Sequence, residues 1–207
     1  KLPEMRLLCL LIALLPLAAG AEDGTAPAAG RFDYCIVCHG TEGRGNAAVN
    51  APRIGGLGAW YLENQLTAFR AGWRGTHADD YHGGEMRPMA LALEDEAQVR
   101  AAAEYFAALD PAPAPAMVEG DADRGERLYA TCTACHGPGA RGNEALGAPA
   151  LAGQSDWYLV RQLEHFAGGV RGTAPGDSYG AQMAGMAGVL TDEQAIRDVV
   201  AYIGTLE

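Results

Sequence analysis

Two short stretches, Cys35-Ile36-Val37-Cys38-His39 and Cys132-Thr133-Ala134-Cys135-His136, share the pattern Cys-x-x-Cys-His. This pattern is the attachment signature of c-type haem. Two thiols spaced by two residues on a helical turn can reach the two vinyl groups at one edge of a porphyrin, and the histidine that follows is placed under the iron. The sequence therefore predicts two covalent c-type haems, attached at Cys35, Cys38, Cys132 and Cys135, with His39 and His136 as proximal ligands of the iron.

Three other interpretations of these cysteines fit less well. A thioredoxin-like redox pair needs a preceding strand and gives the adjacent histidine no role. A zinc site needs four converging ligands, whereas here two sets of three are far apart in the chain. A structural disulfide leaves both histidines unexplained.

The motifs belong to a long internal repeat, since the second begins 97 residues (132 − 35) after the first. The same shift relates a whole series of residues: Arg44-Gly45-Asn46 with Arg141-Gly142-Asn143, Pro52 with Pro149, Trp60-Tyr61-Leu62 with Trp157-Tyr158-Leu159, Gln65-Leu66 with Gln162-Leu163, Arg74-Gly75-Thr76 with Arg171-Gly172-Thr173, Met86 and Met89 with Met183 and Met186, and Tyr105 with Tyr202. No gap is needed, so the chain contains one domain written twice.

Composition places the ends of the two units. Residues 1–21 resemble an export signal, with a positive start, an apolar run of 11 residues from Leu7 to Leu17 and a small-residue cleavage site before Glu22. That run is shorter than the roughly 20 residues of a membrane-spanning helix, so we expect a periplasmic protein with at most peripheral membrane association. The Pro/Ala stretch 111–118 predicts a stiff linker between domains 22–110 and 119–207.

The periodicity predicts an all-α fold. Helices are expected over 123–132, 157–166 and 94–109, and Thr191-Asp192-Glu193-Gln194 has the pattern of a capping box that opens the last helix. The glycine-rich stretches Gly72 to Gly84 and Gly168 to Gly188 are expected to be loops. The first unit has a shorter run before its first cysteine, so its first helix is expected to be shorter.

Methionine is the expected second axial ligand, because histidine with methionine gives the higher-potential pairing of electron-transfer haems. Spacing leaves Met86 or Met89 open in the first unit, and Met183 or Met186 in the second; the other methionine of each pair would fill the core. His82 is an alternative ligand for the first haem. Pro52 and Pro149 are candidates to offer a carbonyl to the outer nitrogen of each proximal histidine.

The charge of −11 and the presence of Lys1 as the only lysine exclude a nucleic-acid-binding protein. Either the acidity attracts partners with positive patches, or it serves solubility alone; both remain open. Arg44 and Arg141, soon after each motif, are either counter-ions of the haem propionates or ordinary surface arginines.

The ordered series P-x-(I/L)-x-G, W-Y-L-x-x-Q-L-x-x-F, R-G-T and M-x-x-M-A around two haem motifs resembles the dihaem cytochrome c4 family. The resemblance implies two class I cytochrome c domains related by a pseudo-twofold axis, with the haem propionate edges close together. It also implies Met86 and Met183 as the axial methionines.

The expected function is therefore electron transfer, as a monomer, between a respiratory donor such as quinol-cytochrome c reductase and an acceptor such as a terminal oxidase. The alternative is the electron-accepting subunit of a larger periplasmic dehydrogenase. An enzyme is disfavoured. A dihaem peroxidase needs a longer chain. A thiosulfate-oxidising dihaem enzyme that ligates iron through cysteine needs one more cysteine than the four used in haem attachment.

Overall fold

The structure, a computed structural model, describes residues 30–206. The expected export signal, residues 1–21, lies outside the described residues. Within residues 30–206 the regular structure is helical, and β pairing is limited to one isolated bridge in each half, Asn46 with Ala51 and Asn143 with Ala148. The all-α prediction is confirmed.

Nine α-helices occur in the described part of the chain. The first half contains α1 (Asp33–His39), α2 (Ala59–Arg70), α3 (Tyr81–Leu91) and α4 (Glu96–Ala107). The second half contains α5 (Ala122–Tyr129), α6 (Thr133–His136), α7 (Asp156–Ala167), α8 (Ser178–Ala187) and α9 (Glu193–Ile203). A 3₁₀ turn follows each haem motif, at Ala47–Val49 and Glu144–Leu146.

Each half has its own apolar core, built on its last helix. In the second half, Val199, Val200 and Ile203 of α9 are buried against Leu159 and Val160 of α7. The first half packs α4 on α2 in the same manner, with Val99, Ala103 and Phe106 facing Leu62. Burying each of these side chains except the smaller Ala103 stabilises the fold by roughly 1.5–3 kcal/mol. The last helix thus provides the apolar surface on which the core of each half packs.

The start of the first half differs from the second, as expected from its shorter sequence. The first haem motif lies within the seven-residue helix α1, whereas α5 and then α6 lead through the second motif. The aromatic contact with the last helix is nevertheless kept. Phe32 packs on Tyr105 with ring centroids 5.5 Å apart, matching Tyr129 on Tyr202 at 5.4 Å.

The prediction of glycine-rich loops is wrong for the residues in α3 and α8. These two helices carry the four candidate ligand methionines, Met86, Met89, Met183 and Met186. Both helices are started by an aspartate cap: Asp80 accepts the backbone N–H of Gly83, and Asp177 accepts that of Gly180. A Cβ at Gly83 or Gly180 would lie 2.0 Å from the capping carboxylate. These glycines make room for the cap, and glycine content therefore did not indicate a loop there.

The predicted capping box of the last helix is also wrong in detail. The N-cap of α9 is Asp192, which accepts the N–H of Ala195 at 2.7 Å. Gln194 does not reach back to the cap but donates to Asp198 on the next turn at 2.7 Å. The cap of α4 is likewise an aspartate, Asp95, bonded to the N–H of Gln98.

The Pro/Ala stretch lies against both halves. Pro111 covers Gly55 of the first half, where a Cβ would meet the proline ring at 2.9 Å. On the other side, both the Met117 and Val118 N–H groups donate to the Asp156 carboxylate, at 2.5 and 2.7 Å.

None of the helices in residues 30–206 is long and apolar enough to cross a membrane.

Candidate haem sites and the junction between them

The two haem motifs present their side chains in the same way. Cys35 and Cys132 are half-buried, while Cys38 and Cys135 are exposed. Burial raises the pKa of the Cys35 thiol to about 11 and raises that of Cys132 as well. Reactive redox cysteines have the opposite property, a lowered pKa, so Cys35 and Cys132 do not resemble them.

Both proximal histidines are buried and oriented by a backbone carbonyl. His39 Nδ1 donates to the Pro52 carbonyl oxygen, and His136 Nδ1 to that of Pro149, each at 2.8 Å. Burial lowers the pKa of both imidazoles against the opposing effect of these hydrogen bonds. The rings are therefore neutral at pH 7, and since Nδ1 carries the proton, Nε2 has the free lone pair that a metal requires.

The segment that supplies this carbonyl is held close to the histidine by the chain around it. Gly45 N–H donates to the His39 carbonyl oxygen at 2.9 Å, and Asn46 N–H donates to that of Ala51 at 2.7 Å. Gly45 has φ of 88°, and a Cβ there would lie 2.6 Å from the backbone nitrogen of Arg53. Only glycine permits this approach.

The methionines of each pair differ in exposure. Met86 and Met183 are half-buried, whereas Met89 and Met186 are 43% and 39% exposed. His82 forms a 2.8 Å contact with Glu85 one turn along α3.

A cavity of about 410 Å³ lies in the second half, within the size range of ligand pockets. Cys132, Cys135, His136 and both methionines, Met183 and Met186, line it. Its wall is largely apolar, with Leu146, Leu159, Leu163, Phe166, Leu190 and Val199 among the lining residues, and it extends to Tyr61, Gln65 and Trp73 of the first half. The attachment, ligation and packing residues predicted for the second haem thus surround one space.

A buried polar cluster joins the two halves beside this cavity. Arg74 donates to Gln65 in its own half at 2.7 Å and to Gln162 in the other at 3.3 Å. Arg171 repeats the arrangement, donating to Gln162 at 2.7 Å and to Gln65 at 2.6 Å. The four residues lie in equivalent positions of the repeat, so the cluster has the pseudo-twofold symmetry expected of the halves. We refer to Gln65, Arg74, Gln162 and Arg171 as the junction cluster.

The junction cluster fits the two carboxylates that a haem carries. The Nε atoms of Arg74 and Arg171 are buried and have no hydrogen-bond partner in the protein. Burial, together with the neighbouring Arg74 cation, lowers the pKa of Arg171, whereas Tyr158, Tyr61 and Asp80 outweigh burial and raise the pKa of Arg74. Two buried guanidiniums at one place are costly unless anions neutralise them. A haem seated in the apolar cavity would supply that charge through its propionates.

These residues were not among the junction candidates in the sequence. Of the two alternatives for Arg44, the structure shows the surface arginine, which is 61% exposed and paired with Glu42. Arg74, Arg171 and the two glutamines were visible only as members of the repeat. One feature of the sequence indicates them. Helices α2 and α7 each carry a glutamine, Gln65 or Gln162, on the same helix face as Leu62 or Leu159.

The cytochrome c family model matches the chain twice, over residues 27–110 and 122–207. The chain belongs to the cytochrome c family. Two of its relatives resemble it over most of their lengths. One is the cytochrome c4 of Stutzerimonas stutzeri, 37% identical over 95% of each chain. The other is the thiosulfate dehydrogenase electron acceptor of the same species (strain A1501), 35% identical over 90% of this chain and 85% of that one.

Solved structures agree with this assignment. Reduced cytochrome c4 from Pseudomonas stutzeri superposes with a TM-score of 0.68 and 29% identity, covering 86% of this chain and 96% of that one. The thiosulfate dehydrogenase TsdBA from Marichromatium purpuratum gives a TM-score of 0.69 and 34% identity over 84% of this chain. This chain spans only 36% of that longer protein. The protein is thus a tandem, dihaem cytochrome c of the cytochrome c4 type, with two c-type haems and an electron-transfer function.

Proposed function

We propose that this cytochrome carries electrons in the periplasm from a respiratory donor, such as quinol-cytochrome c reductase or a dehydrogenase, to an acceptor such as a terminal oxidase. The observation that carries the proposal is the junction cluster, which borders the second-half cavity and joins the halves by hydrogen bonds donated from each half to the other. A protein that only bound haem would not need two sites joined by a buried polar contact. A two-site electron carrier does, because transfer between haems requires a fixed separation.

The geometry supports the following residue roles in this proposal. Cys35, Cys38, Cys132 and Cys135 attach the haems, and His39 and His136 ligate iron through Nε2. Met86 and Met183 are the second axial ligands, a choice supported by their lower exposure than Met89 and Met186. Pro52 and Pro149 fix the histidine tautomers by accepting from Nδ1.

Each bound haem supplies a one-electron Fe(III)/Fe(II) couple. The protein's own contribution is to hold the ligands, exclude water with the apolar wall and neutralise the propionates with Arg74 and Arg171. Because the glutamine partners of these arginines are shared between the halves, the counter-ions of both haems are positioned together.

We extend the proposal to the whole chain. Residues 1–21 are an export signal, and domains 22–110 and 119–207 are joined by the linker 111–118, boundaries that the two family matches support. The protein acts as a monomer. Size-exclusion chromatography with light scattering and fractionation of cells expressing the full chain test these points; a dimer or a cytoplasmic haem protein would contradict them.

A second candidate is the dedicated electron acceptor of a periplasmic dehydrogenase. It is favoured by the 35% identity to a thiosulfate dehydrogenase electron acceptor across 90% of this chain. In this role the protein would receive electrons from one enzyme and would be a functional subunit of it rather than a shared carrier.

Stopped-flow kinetics of the purified dihaem protein separate these functions. The ferric protein is mixed with quinol-cytochrome c reductase and quinol, or with thiosulfate dehydrogenase and thiosulfate; the ferrous protein is mixed with a terminal oxidase. A shared carrier accepts electrons from the reductase and delivers two per chain to the oxidase. Reduction by thiosulfate dehydrogenase alone supports the second candidate. Failure to exchange electrons with any of these enzymes contradicts both.

A further inference from the structure

The contact between the halves is symmetric at the junction cluster but not beside it. Arg53, the residue after Pro52, corresponds to Ala150 in the second half. The Arg53 guanidinium donates to the Gly153 carbonyl oxygen at 2.9 Å, and a Cβ at Gly153 would lie 2.5 Å from it. Ala150 has no side chain that could make the reciprocal contact.

Two further hydrogen bonds hold Arg53 from the second half. Gln154 Nε2 donates to the Arg53 carbonyl oxygen at 2.9 Å, and the Arg53 backbone N–H donates to Ser155 Oγ at 3.4 Å. The equivalent residues of the first half, Leu57 and Gly58, have no polar side chain. We call residues 153–155 the cross-domain clamp.

Ser155 is committed to this contact rather than to its own helix. It occupies the N-cap of α7, where a serine normally accepts an N–H of the first turn, yet its side chain makes no capping bond. Its neighbour Asp156 accepts the N–H of Trp157 instead, at 2.6 Å. Ser155 is only 3% exposed, so its hydroxyl is placed in the domain contact.

The peptide that the clamp holds is the one that orients a proximal histidine. The Pro52 carbonyl and the Arg53 N–H belong to the same amide group. Its oxygen accepts from His39 Nδ1 at 2.8 Å, and its nitrogen faces Ser155. On the opposite side of the pseudo-twofold axis, the Pro149–Ala150 peptide borders a cavity of about 220 Å³ lined also by Gly58, Trp60 and Glu144.

We propose that the cross-domain clamp is a positioning element for His39, so that the second half of the protein sets the reduction potential of the first haem. The proposal rests on the electron-transfer function above and goes beyond it by assigning residues outside the first half to the tuning of its haem. The second haem has no such control from the first half, because Leu57 and Gly58 replace the polar clamp residues.

The direction of the effect follows from the hydrogen-bond chain. Ser155 Oγ accepts from the N–H of the Pro52–Arg53 amide, and this polarises the amide and makes its carbonyl a stronger acceptor for His39 Nδ1, while Gln154 holds the adjoining Arg53 carbonyl in place. A stronger bond from His39 Nδ1 makes the imidazole a more basic ligand. A more basic ligand stabilises Fe(III) over Fe(II), so adding one electron to the first haem becomes harder. Loss of the clamp should therefore raise the potential of the first haem.

The test uses the full dihaem protein with Ser155→Ala, Gln154→Leu and the double variant. Gln154→Leu installs the residue found at the equivalent position of the first half. The matched control is Asn50→Gly, which likewise installs the residue found at the equivalent position of the other half, Gly147. This substitution leaves the net charge unchanged. It removes a hydrogen bond between the halves, from Arg161 to Asn50, that does not involve the Pro52–Arg53 peptide. Asn50 has φ of 56°, a conformation that glycine adopts freely.

The readouts are the two reduction potentials, assigned to each haem by NMR, and the solvent exchange rate of the His39 Nδ1 proton in the ferrous protein. In the double variant we expect the reduced-to-oxidised ratio of the first haem at fixed potential to rise about threefold, or roughly 28 mV for a one-electron couple. His39 proton exchange should accelerate. The second haem should be unchanged in Ser155→Ala, because Ser155, unlike Gln154, does not line the cavity of the second half. Ser155→Ala alone, which removes one oxygen, should shift the ratio in the same direction by less.

Unchanged potentials in the double variant, or an equal shift with Asn50→Gly, would overturn the proposal. A potential shift shared equally by both haems would also do so, because it would indicate general loosening of the domain contact. A haem content below two per chain in the unsubstituted protein would instead contradict the proposed function, so the two failures are distinguishable.

Discussion

The guanidinium of Arg171 donates a hydrogen bond to Oε1 of Gln65, in the opposite half of the molecule, at 2.6 Å. This contact crosses the repeat between residues that are 106 positions apart in sequence. Since the same Gln65 oxygen also accepts from Arg74, one side chain fixes a cation from each half. The two halves are therefore joined by a shared hydrogen-bond network at the junction cluster.

Replacing a junction arginine should lower both reduction potentials. Reduction adds one negative charge to a haem, and the cation of Arg74 or Arg171 stabilises that charge. We expect Arg171→Gln to make reduction harder by about 1–2 kcal/mol, the Coulomb energy of a unit charge at roughly 10 Å with an effective dielectric of about 20. Spectroelectrochemical titration measures this. Arg44→Gln is the control, because Arg44 is exposed and paired with Glu42; an equal shift there would contradict the role of the junction.

Methionine substitution should identify the axial ligands. With Met86 and Met183 on iron, Met86→Ala or Met183→Ala should halve the weak far-red sulfur-to-iron band of the ferric protein. Met89→Ala or Met186→Ala should leave the band largely intact. The reverse pattern would transfer ligation to the other methionine of each pair, and loss of the first-haem ligand in His82→Ala would support the histidine alternative.

Haem attachment should be covalent and independent in the two halves. The intact mass is expected to exceed that of the polypeptide by two haems, and acid–acetone should leave the colour with the protein. Changing Cys132 and Cys135 together to alanine should reduce the haem content, measured as pyridine haemochrome, from two per chain to one. Colour that is extracted from the unsubstituted protein would contradict thioether attachment.

Acid stability should depend on Asp198, which is 1% exposed. Burial raises the pKa of this carboxyl, but hydrogen bonds from Asp121 N–H, Gln194 and Arg124 outweigh it and lower the pKa below its usual value. A lowered folded-state pKa contributes stability above the unfolded pKa of about 3.9, and that stability is lost as pH falls through the folded value.

We therefore expect Asp198→Asn to lower the free energy of unfolding by about 2 kcal/mol at pH 7, a value reduced for the partial exposure of Arg124. The difference from the unsubstituted protein should shrink below about pH 3. Thermal unfolding of the dihaem protein from pH 2 to 7 measures both effects. The control is Glu126→Gln on the exposed face of α5; a similar loss there would mean that general charge, rather than the buried Asp198 contacts, determines stability.

Local sequence determined the fold class and the number of haem sites. Cys-x-x-Cys-His is a contiguous motif, and the orientation of His39 by Pro52 is fixed by a short segment, since the two are 13 positions apart. Both were predictable, because each depends on interactions within a short stretch of chain. The end of the glycine-rich stretch Gly72 to Gly84 is helical for a similarly local reason, since Gly83 makes room for the Asp80 cap of α3.

The junction was decided by tertiary structure alone. Arg44 and Arg74 are both repeated arginines in the sequence, yet only Arg74 is buried against the other half. Likewise, nothing in the sequence around Ser155 shows that its hydroxyl serves Arg53 rather than its own helix. Such contacts depend on how two similar surfaces meet across the pseudo-twofold axis. That arrangement depends on shape and charge complementarity summed over both halves, so a local signal such as the repeated glutamine is not sufficient to specify it.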